Sequence, residues 1–170
     1  MSSRRRIRRP QRIVGKTRYL VTTDFAIRRI TLEHAKPVRN EVLRRGTPTR
    51  EANYDGDLDP RTVHIGAERG ERIVATSTWV IAAWQDEPTA PAVQLRGMAV
   101  LDEMQRTGVG TALIEAGLAY ARECGARFVW AKARDSALGF YEGCGFVAKG
   151  DTFVEPASGL PHHHVVLELR

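Results

Sequence analysis

The sequence lacks any run approaching the ~20 apolar residues that a membrane-spanning helix needs. Its N-terminus also lacks the apolar stretch, about 7–15 residues long, of a secretory signal. It has only two cysteines, Cys124 and Cys144, which form no convincing disulfide framework. These absences predict a cytoplasmic protein with free thiols and no membrane partner.

Acidic residues are absent from the first 23 positions, which carry seven arginines and one lysine. The rest of the chain has 18 basic and 20 acidic residues, which nearly balance, so the net charge of +6 comes from the N-terminal segment. We expect residues 1–17 to be a disordered basic arm before a single domain over 18–170. Contact of this arm with nucleic acid, or an organelle-targeting role, stays open.

Short β-rich runs and helical patterns alternate along the rest of the chain. The spacing of Ile27, Ile30 and His34 predicts a helix that starts just after residue 24. Pro37 either interrupts this helix or opens a second one running to about residue 45. A loop rich in Asn, Asp and Gly follows at 46–61. Strands are predicted at 19–22, 62–67, 72–83, 93–100, 127–131, 146–148, 153–154 and 165–169, and further helices at 108–124 and 135–144.

A strand, a glycine loop and a helix follow one another directly in the middle of the chain. Met98-Ala99-Val100 is followed by Gln105-Arg106-Thr107-Gly108-Val109-Gly110 and by a helix from Thr111. A helix N-terminus leaves backbone N–H groups unpaired and favours an anion. Glycines let the backbone approach a phosphate closely. The loop therefore suits a pyrophosphate, although glycines that serve only a tight turn are the alternative.

Two common phosphate loops do not match this pattern. The Gly-Lys-Ser/Thr ending of nucleoside triphosphatases is absent, and Leu113 stands where a dinucleotide-binding loop has its third glycine. The remaining pattern, Gln/Arg-x-x-Gly-x-Gly/Ala after a strand, resembles the coenzyme A loop of the GNAT acetyltransferase superfamily. The stretch from Ser136 to Phe146, with its Phe140-Tyr141 pair and its Gly-Phe ending, resembles that family's second signature.

The resemblance implies an α/β (α+β) fold with a mixed, mostly antiparallel sheet of six or seven strands flanked by helices. It also implies a splayed parallel strand pair at an acetyl-CoA site. A narrower likeness to small bacterial GNAT proteins of unassigned substrate rests on segments such as residues 94–100 and Asp57-Leu58-Asp59-Pro60. Lys132 departs from that subgroup, where a small polar residue is expected.

By this resemblance, acetyl-CoA is the co-substrate and the loop and preceding strand bind it. Tyr141 would act as the general acid that protonates the departing thiolate, and a packed core tyrosine is the alternative. The implied cofactor-binding residues are Met98, Ala99, Val100, Gln105, Arg106, Thr107, Gly108, Val109, Gly110 and Thr111.

The general base is not assigned, because Gln94 stands where many GNAT enzymes carry a glutamate. The candidates for the base are Glu41, His64 and His162. The candidate substrate-side residues are these three together with Arg96 and Arg134. His64, in an alternating strand, also suits a packed histidine. Arg39, Arg96 and Arg134 suit either an anionic acceptor or charge pairing with acidic residues such as Asp57.

A metal site is not expected, because only two of the three histidines at 162–164 can share one face of a strand. The function expected is transfer of an acetyl group from acetyl-CoA to a primary amine of an unidentified small molecule or peptide. The alternative is a catalytically weak module that senses acyl-CoA while its basic arm contacts nucleic acid. A homodimer is an open option.

Overall fold

The computed structural model describes residues 21–22 and 25–170 of the 170-residue chain. The basic arm expected over 1–17 lies outside the described residues, and so do the expected strand start at 19–20 and helix start at 23–24. The domain boundary near residue 18 therefore stays a prediction.

The described part of the chain contains eight strands: β1 (Val21–Thr22), β2 (Phe25–Ile30), β3 (Val63–Arg69), β4 (Arg72–Ile81), β5 (Ala92–Val100), β6 (Phe128–Arg134), β7 (Val147–Glu155) and β8 (Leu160–Glu168). They form one sheet in the order β1-β2-β3-β4-β5-β6-β8-β7. Neighbouring strands are antiparallel except for the parallel pair β5 and β6. The expected fold class is confirmed, with seven strands of six or more residues and the two-residue strand β1.

The helix expected just after residue 24 is wrong, because that segment is strand β2. Phe25 and Ile27 are buried at alternate positions, which is the spacing of a strand. Helix α1 (Leu32–Leu43) begins only after Thr31, whose hydroxyl caps it by accepting from the N–H of His34. Pro37 lies inside α1 instead of dividing it, and its missing N–H leaves one carbonyl of the preceding turn without its helical donor.

Two further helices follow in the second half, α2 (Val109–Glu123) and α3 (Leu138–Gly143). The two short strands expected at 146–148 and 153–154 are parts of one strand, β7, which pairs with β8 on both sides of an irregularity between Lys149 and Phe153. No helix within the described residues is long and apolar enough to cross a membrane.

Helices α1 and α2 cover opposite faces of the sheet. Thr78 and Trp79 are neighbours on β4, so their side chains point to opposite faces. The Thr78 hydroxyl accepts from Arg39 of α1, whereas Trp79 packs against Gly117 of α2. The main core lies on the α2 face, where Leu113, Ala116 and Tyr120 repeat at helical spacing and are buried.

Gly117 allows α2 to approach the sheet closely, so we expect Gly117→Ala to destabilise the protein. A Cβ at this position would lie 1.7 Å from Cζ2 of the fully buried Trp79. The clash should lower the free energy of unfolding by roughly 1–3 kcal/mol, despite the gain of about 1 kcal/mol that alanine brings to a helix interior. Urea denaturation followed by circular dichroism measures the change.

Gly139→Ala is the matched control, because Gly139 also lies in a helix and a Cβ there meets nothing within 4 Å. This variant should be as stable as the wild type or up to about 1 kcal/mol more stable. Wild-type stability of Gly117→Ala would contradict the close packing of α2 on Trp79.

Candidate functional site

The site begins where the parallel strands β5 and β6 separate. They pair from Ala92 with Phe128 to Leu95 with Ala131, and no pairing follows. Beyond Leu95, β5 stays bonded to β4 only, and β6 to β8. The expected splayed parallel pair is therefore confirmed, with the separation starting just before Met98.

A β-bulge accompanies this separation. Thr78 pairs with Arg96 and Thr76 with Ala99, so two residues of β5 stand opposite one of β4. One of the two is Gly97, whose φ of 55° suits glycine. A Cβ there would also lie 2.7 Å from Nε of the buried Arg39.

The gap opens into a cavity of about 990 Å³ that has two sides. The first, called here the Gly-loop side, consists of residues 104–106, 108–111, 136–137 and 140–141. The second, called here the cationic side, consists of residues 42–44, 53–55, 96, 132, 134, 155, 157–158 and 162. The remaining lining residues are 94–95 and 97–100 of β5, which lie at the gap.

The Gly-loop side presents the N-terminus of α2 to the cavity. Gly108 caps the helix with a φ of 87°, and Arg106 also has a positive φ, of 60°. The first hydrogen bond of the helix runs from the N–H of Ala112 to the carbonyl of Gly108. The three preceding N–H groups, those of Val109, Gly110 and Thr111, therefore have no helical acceptor and suit an anion.

Nine of the ten residues expected to bind the cofactor line this cavity. The tenth, Thr107, shapes the turn instead, because its hydroxyl donates to the Met104 carbonyl at 2.6 Å. Gly110 lies closely packed, since a Cβ there would meet Phe140 at 3.1 Å and Met98 at 3.4 Å. Gly110 therefore lets the first turn of α2 pack closely against Phe140 and Met98.

Tyr141 lies on the Gly-loop side, beside the bulge of β5. Its side chain is buried, and its hydroxyl is 3.9 Å from Sδ of Met98, a long and weak contact. Burial raises the pKa of Tyr141 far above that of a free phenol, with a smaller contribution from Cys144. The phenol is therefore protonated at neutral pH and can donate a proton.

His162 lies on the cationic side and is buried. Its Nδ1 is 2.9 Å from the Leu160 carbonyl, which can only accept, so Nδ1 carries the hydrogen. Burial lowers the pKa of His162, and the charge of Arg134 lowers it further. The ring is then neutral, and its Nε2 holds a lone pair that no described residue uses.

Two of the substrate-side candidates do not line the cavity. Glu41 is exposed on α1. His64 is buried between Thr78, at 2.8 Å from Nδ1, and the Asp57 carbonyl, at 3.2 Å from Nε2. Burial, followed by the nearby charge of Arg39, lowers the pKa of His64. Neither Glu41 nor His64 is therefore among the residues that line this cavity.

Arg39 is also a structural residue. Its guanidinium forms a two-pronged ion pair with Asp57 at 2.9 and 3.0 Å, inside the protein. It stacks on the ring of Tyr54 with its central carbon 5.2 Å from the ring centre. The charge-pairing alternative is therefore the correct one for Arg39.

Arg96 and Arg134 do line the cavity, and neither forms an ion pair within residues 25–170. Arg96 donates to the Gln94 side chain and to the Asp55 carbonyl, both at 2.7 Å. Lys132, the departure noted in the sequence, also lines the cavity but is paired with Glu155 at 2.9 Å.

Sequence reasoning missed Arg44 and Tyr54, which complete the cationic side. Both belong to the segment that links α1 to β3, and the guanidinium of Arg44 lies over the Tyr54 ring at 5.9 Å. A lone tyrosine within the polar loop 46–61 was the one available signal. Among the described residues, no group of three or more His, Cys, Asp or Glu side chains is arranged to hold a metal ion.

Comparison with known proteins agrees with this geometry. The acetyltransferase (GNAT) family matches residues 28–146. The uncharacterized N-acetyltransferase YitI of Bacillus subtilis is 25% identical over 141 residues, covering 83% of this chain and 93% of YitI.

Solved structures share the fold at low sequence identity. FeeM, an N-acyl amino acid synthase from uncultured soil microbes, has a TM-score of 0.70 at 13% identity, over 85% of this chain and 90% of FeeM. ElaA of Escherichia coli has a TM-score of 0.69 at 17% identity, over 85% of this chain and 99% of ElaA. Because the family match spans more than half of the sequence, the chain belongs to the GNAT family of acetyltransferases, which use acyl-CoA as co-substrate.

Proposed function

We propose that this acyltransferase moves the acetyl group of acetyl-CoA directly to a primary amine of an acceptor molecule. One observation carries the proposal: the gap that opens between β5 and β6 after Leu95 and the N-terminus of α2, whose first N–H groups have no helical acceptor, line the same cavity. The gap suits an extended thioester arm, and the helix N-terminus suits the pyrophosphate at the other end of that arm.

The residues present fit coenzyme A. Backbone groups of Met98 and Val100 that face the gap have no partner on β6, so they are available to the pantetheine arm. An N–H of this segment, directed at the thioester oxygen, would stabilise the negative charge that develops there. Such contacts contribute roughly 3–4 kcal/mol in acyl-transfer sites.

The transfer itself needs one base and one acid. The neutral amine attacks the thioester carbonyl, the N–C bond forms, and the C–S bond breaks. The amine gives a proton to the base, and the departing sulfur takes a proton from the acid. The products are an N-acetylated amine and free coenzyme A thiol, and solvent restores both protein groups.

We assign the acid to Tyr141 and the base to Nε2 of His162. Burial keeps the Tyr141 phenol protonated, and its hydroxyl lies against Met98 at the gap. Among the three candidates for the base, Glu41, His64 and His162, only His162 lines the cavity. Its lone pair on Nε2 follows from the hydrogen bond of Nδ1 to Leu160.

Gly108→Val should weaken the binding of acetyl-CoA, because Gly108 has a φ of 87° and directly precedes the phosphate-facing N–H groups. The strain should make the loop of the free protein relax into another conformation, and restoring the binding conformation then costs about 1–2 kcal/mol, so we expect an affinity lower by about 5–30-fold. Calorimetry measures the dissociation constant. The control is Gly70→Val, which has the same strain at a φ of 63° outside the cavity and should lose stability but no affinity. Equal affinities in both variants would contradict the assignment.

Tyr141→Phe should reduce turnover by about 10²–10⁴-fold, or somewhat less if water supplies the proton, while acetyl-CoA affinity barely changes. The ring and its packing stay, and only the proton donor is lost. Tyr120→Phe is the matched control, because Tyr120 donates to the Arg61 carbonyl and does not line the cavity. Turnover is measured by thiol release, with slow hydrolysis of acetyl-CoA as the fallback. Wild-type turnover of Tyr141→Phe, where chemistry limits the rate, would remove Tyr141 from the mechanism.

His162→Gln should abolish the acidic limb of the pH–rate profile. In the wild type, kcat/KM should rise with pH through the pKa of His162, which burial holds below its ordinary 6.5. The limb of His162 therefore lies below pH 6.5, and above it kcat/KM rises further only as the acceptor amine loses its proton. His163→Gln, whose histidine bonds to Asp135 instead, should keep the limb. An unchanged limb in His162→Gln would show that another group is the base.

A further inference from the structure

Three guanidinium groups on the cationic side are not neutralised by a carboxylate. Arg44, Arg96 and Arg134 line the cavity and bond to carbonyl oxygens and to the Gln94 amide, and none of them forms an ion pair within residues 25–170. With Lys132, this side carries four cations against the carboxylates of Asp55 and Glu155. An excess of two positive charges therefore faces the cavity.

The C-terminus of α1 holds two of these groups together. The carbonyl of Leu43, the last residue of α1, accepts from both Arg44 and Arg134. A helix C-terminus carries only about half a negative charge, which does not balance two guanidinium groups. Burial and the charge of Arg44 both lower the pKa of Arg134, so the cation of Arg134 is incompletely compensated by the protein.

Arg134 also stands beside the proposed base. Arg134 of β6 and His162 of β8 are directly paired across the sheet, so their side chains are neighbours on one face. An amine that meets Nε2 of His162 therefore places its neighbouring atoms within reach of the Arg134 guanidinium. The pyrophosphate of the co-substrate has its own binding groups on the Gly-loop side, so the charge beside His162 is available to the acceptor.

We infer that the acceptor is an amine that also carries an anionic group, a carboxylate or a phosphate, and that Arg134 binds this group. The inference rests on the proposed acetyl transfer and adds the chemical class of the acceptor. A guanidinium binds either anion through two parallel N–H bonds. The same charges oppose polyamines and lysine-rich peptides, whose cations would meet like charges.

The test compares acceptors that differ in the anionic group, with kcat/KM expressed per neutral amine because removing the anion also lowers the pKa of the amine. Recognition of a carboxylate is tested by comparing each of several amino acids with its own carboxamide. Recognition of a phosphate is tested by comparing phosphoethanolamine with ethanolamine. Spermidine serves as a cationic acceptor. Thiol release from acetyl-CoA gives kcat and KM. In one of the two comparisons, we expect kcat/KM to be about 10–100-fold higher for the anionic acceptor, chiefly because its KM is lower. A difference of this size is the typical effect of a charge-assisted hydrogen bond.

Arg134→Gln should remove this preference by raising KM far more for the anionic acceptor than for its neutral partner, and it should leave acetyl-CoA affinity unchanged. Arg134→Lys keeps the charge and should retain part of the preference. Arg106→Gln, on the Gly-loop side, should act in the opposite way, on acetyl-CoA affinity and not on acceptor choice. Arg127→Gln, an exposed arginine paired with Glu168, controls for the loss of one positive charge.

Each outcome decides between the two proposals. Faster acetylation of neutral or cationic amines overturns the anionic acceptor but supports the transfer reaction. Loss of acetyl-CoA affinity in Arg134→Gln, with folding intact by thermal unfolding, assigns Arg134 to the co-substrate and overturns the inference. If no amine is acetylated, calorimetry measures the binding of the same amines to free and to coenzyme A-loaded protein. Binding of the anionic amines that depends on Arg134 then supports the anionic acceptor and counts against the transfer reaction. Lack of such binding overturns the anionic acceptor.

Discussion

Two parallel strands that separate inside a sheet leave backbone N–H and C=O groups on the facing edges without partners. Buried groups of this kind are costly unless they find another partner, so a gap such as that between β5 and β6 persists only where a ligand or solvent can reach it. Here the gap starts after Leu95, and a single short 3-10 turn at Asp102–Met104 separates the end of β5 from the Gly loop. The two surfaces that the proposal assigns to the two ends of coenzyme A therefore lie close together in the sequence.

The buried pair of Arg39 and Asp57 supports this geometry from the α1 face of the sheet. The pair joins α1 to the loop before β3, and the Nε atom of Arg39 lies under Gly97 of the bulge. Arg39 also stacks on Tyr54, which lines the cavity. Breaking a buried pair by removing one partner leaves an uncompensated charge. The ion pair therefore couples the position of the loop at 53–55 to the shape of the bulge.

Sequence reasoning succeeded where local chemistry decides the structure. The turn from Gln105 to Gly110 is predictable because glycine readily adopts the left-handed backbone conformation that Gly108 has. Helix α2 is predictable from its helical periodicity. Both signals come from residues that are close together in the sequence. Local patterns predict a helix where strand β2 forms, because the pairing of β2 with β3 depends on residues such as Ala67, which is 40 positions from Ile27. The ion pair of Arg39 likewise spans 18 positions. The identity of its partner, and the lack of an ion pair for Arg134 within residues 25–170, depend on tertiary packing that local patterns do not contain.

The electrostatics of the cationic side explain how the proposed base, His162, can share one cavity with several cations. A histidine among arginines resists protonation, since a second positive charge would repel the first. Burial lowers the pKa of His162 most, and the charges of Arg134 and Lys132 lower it further, against the opposing effects of the Leu160 carbonyl and Glu155. Nε2 of His162 therefore keeps its lone pair at neutral pH. An anionic acceptor would place its amine at the proposed base and its anionic group at Arg134, so recognition and proton transfer would use neighbouring residues of the cationic side.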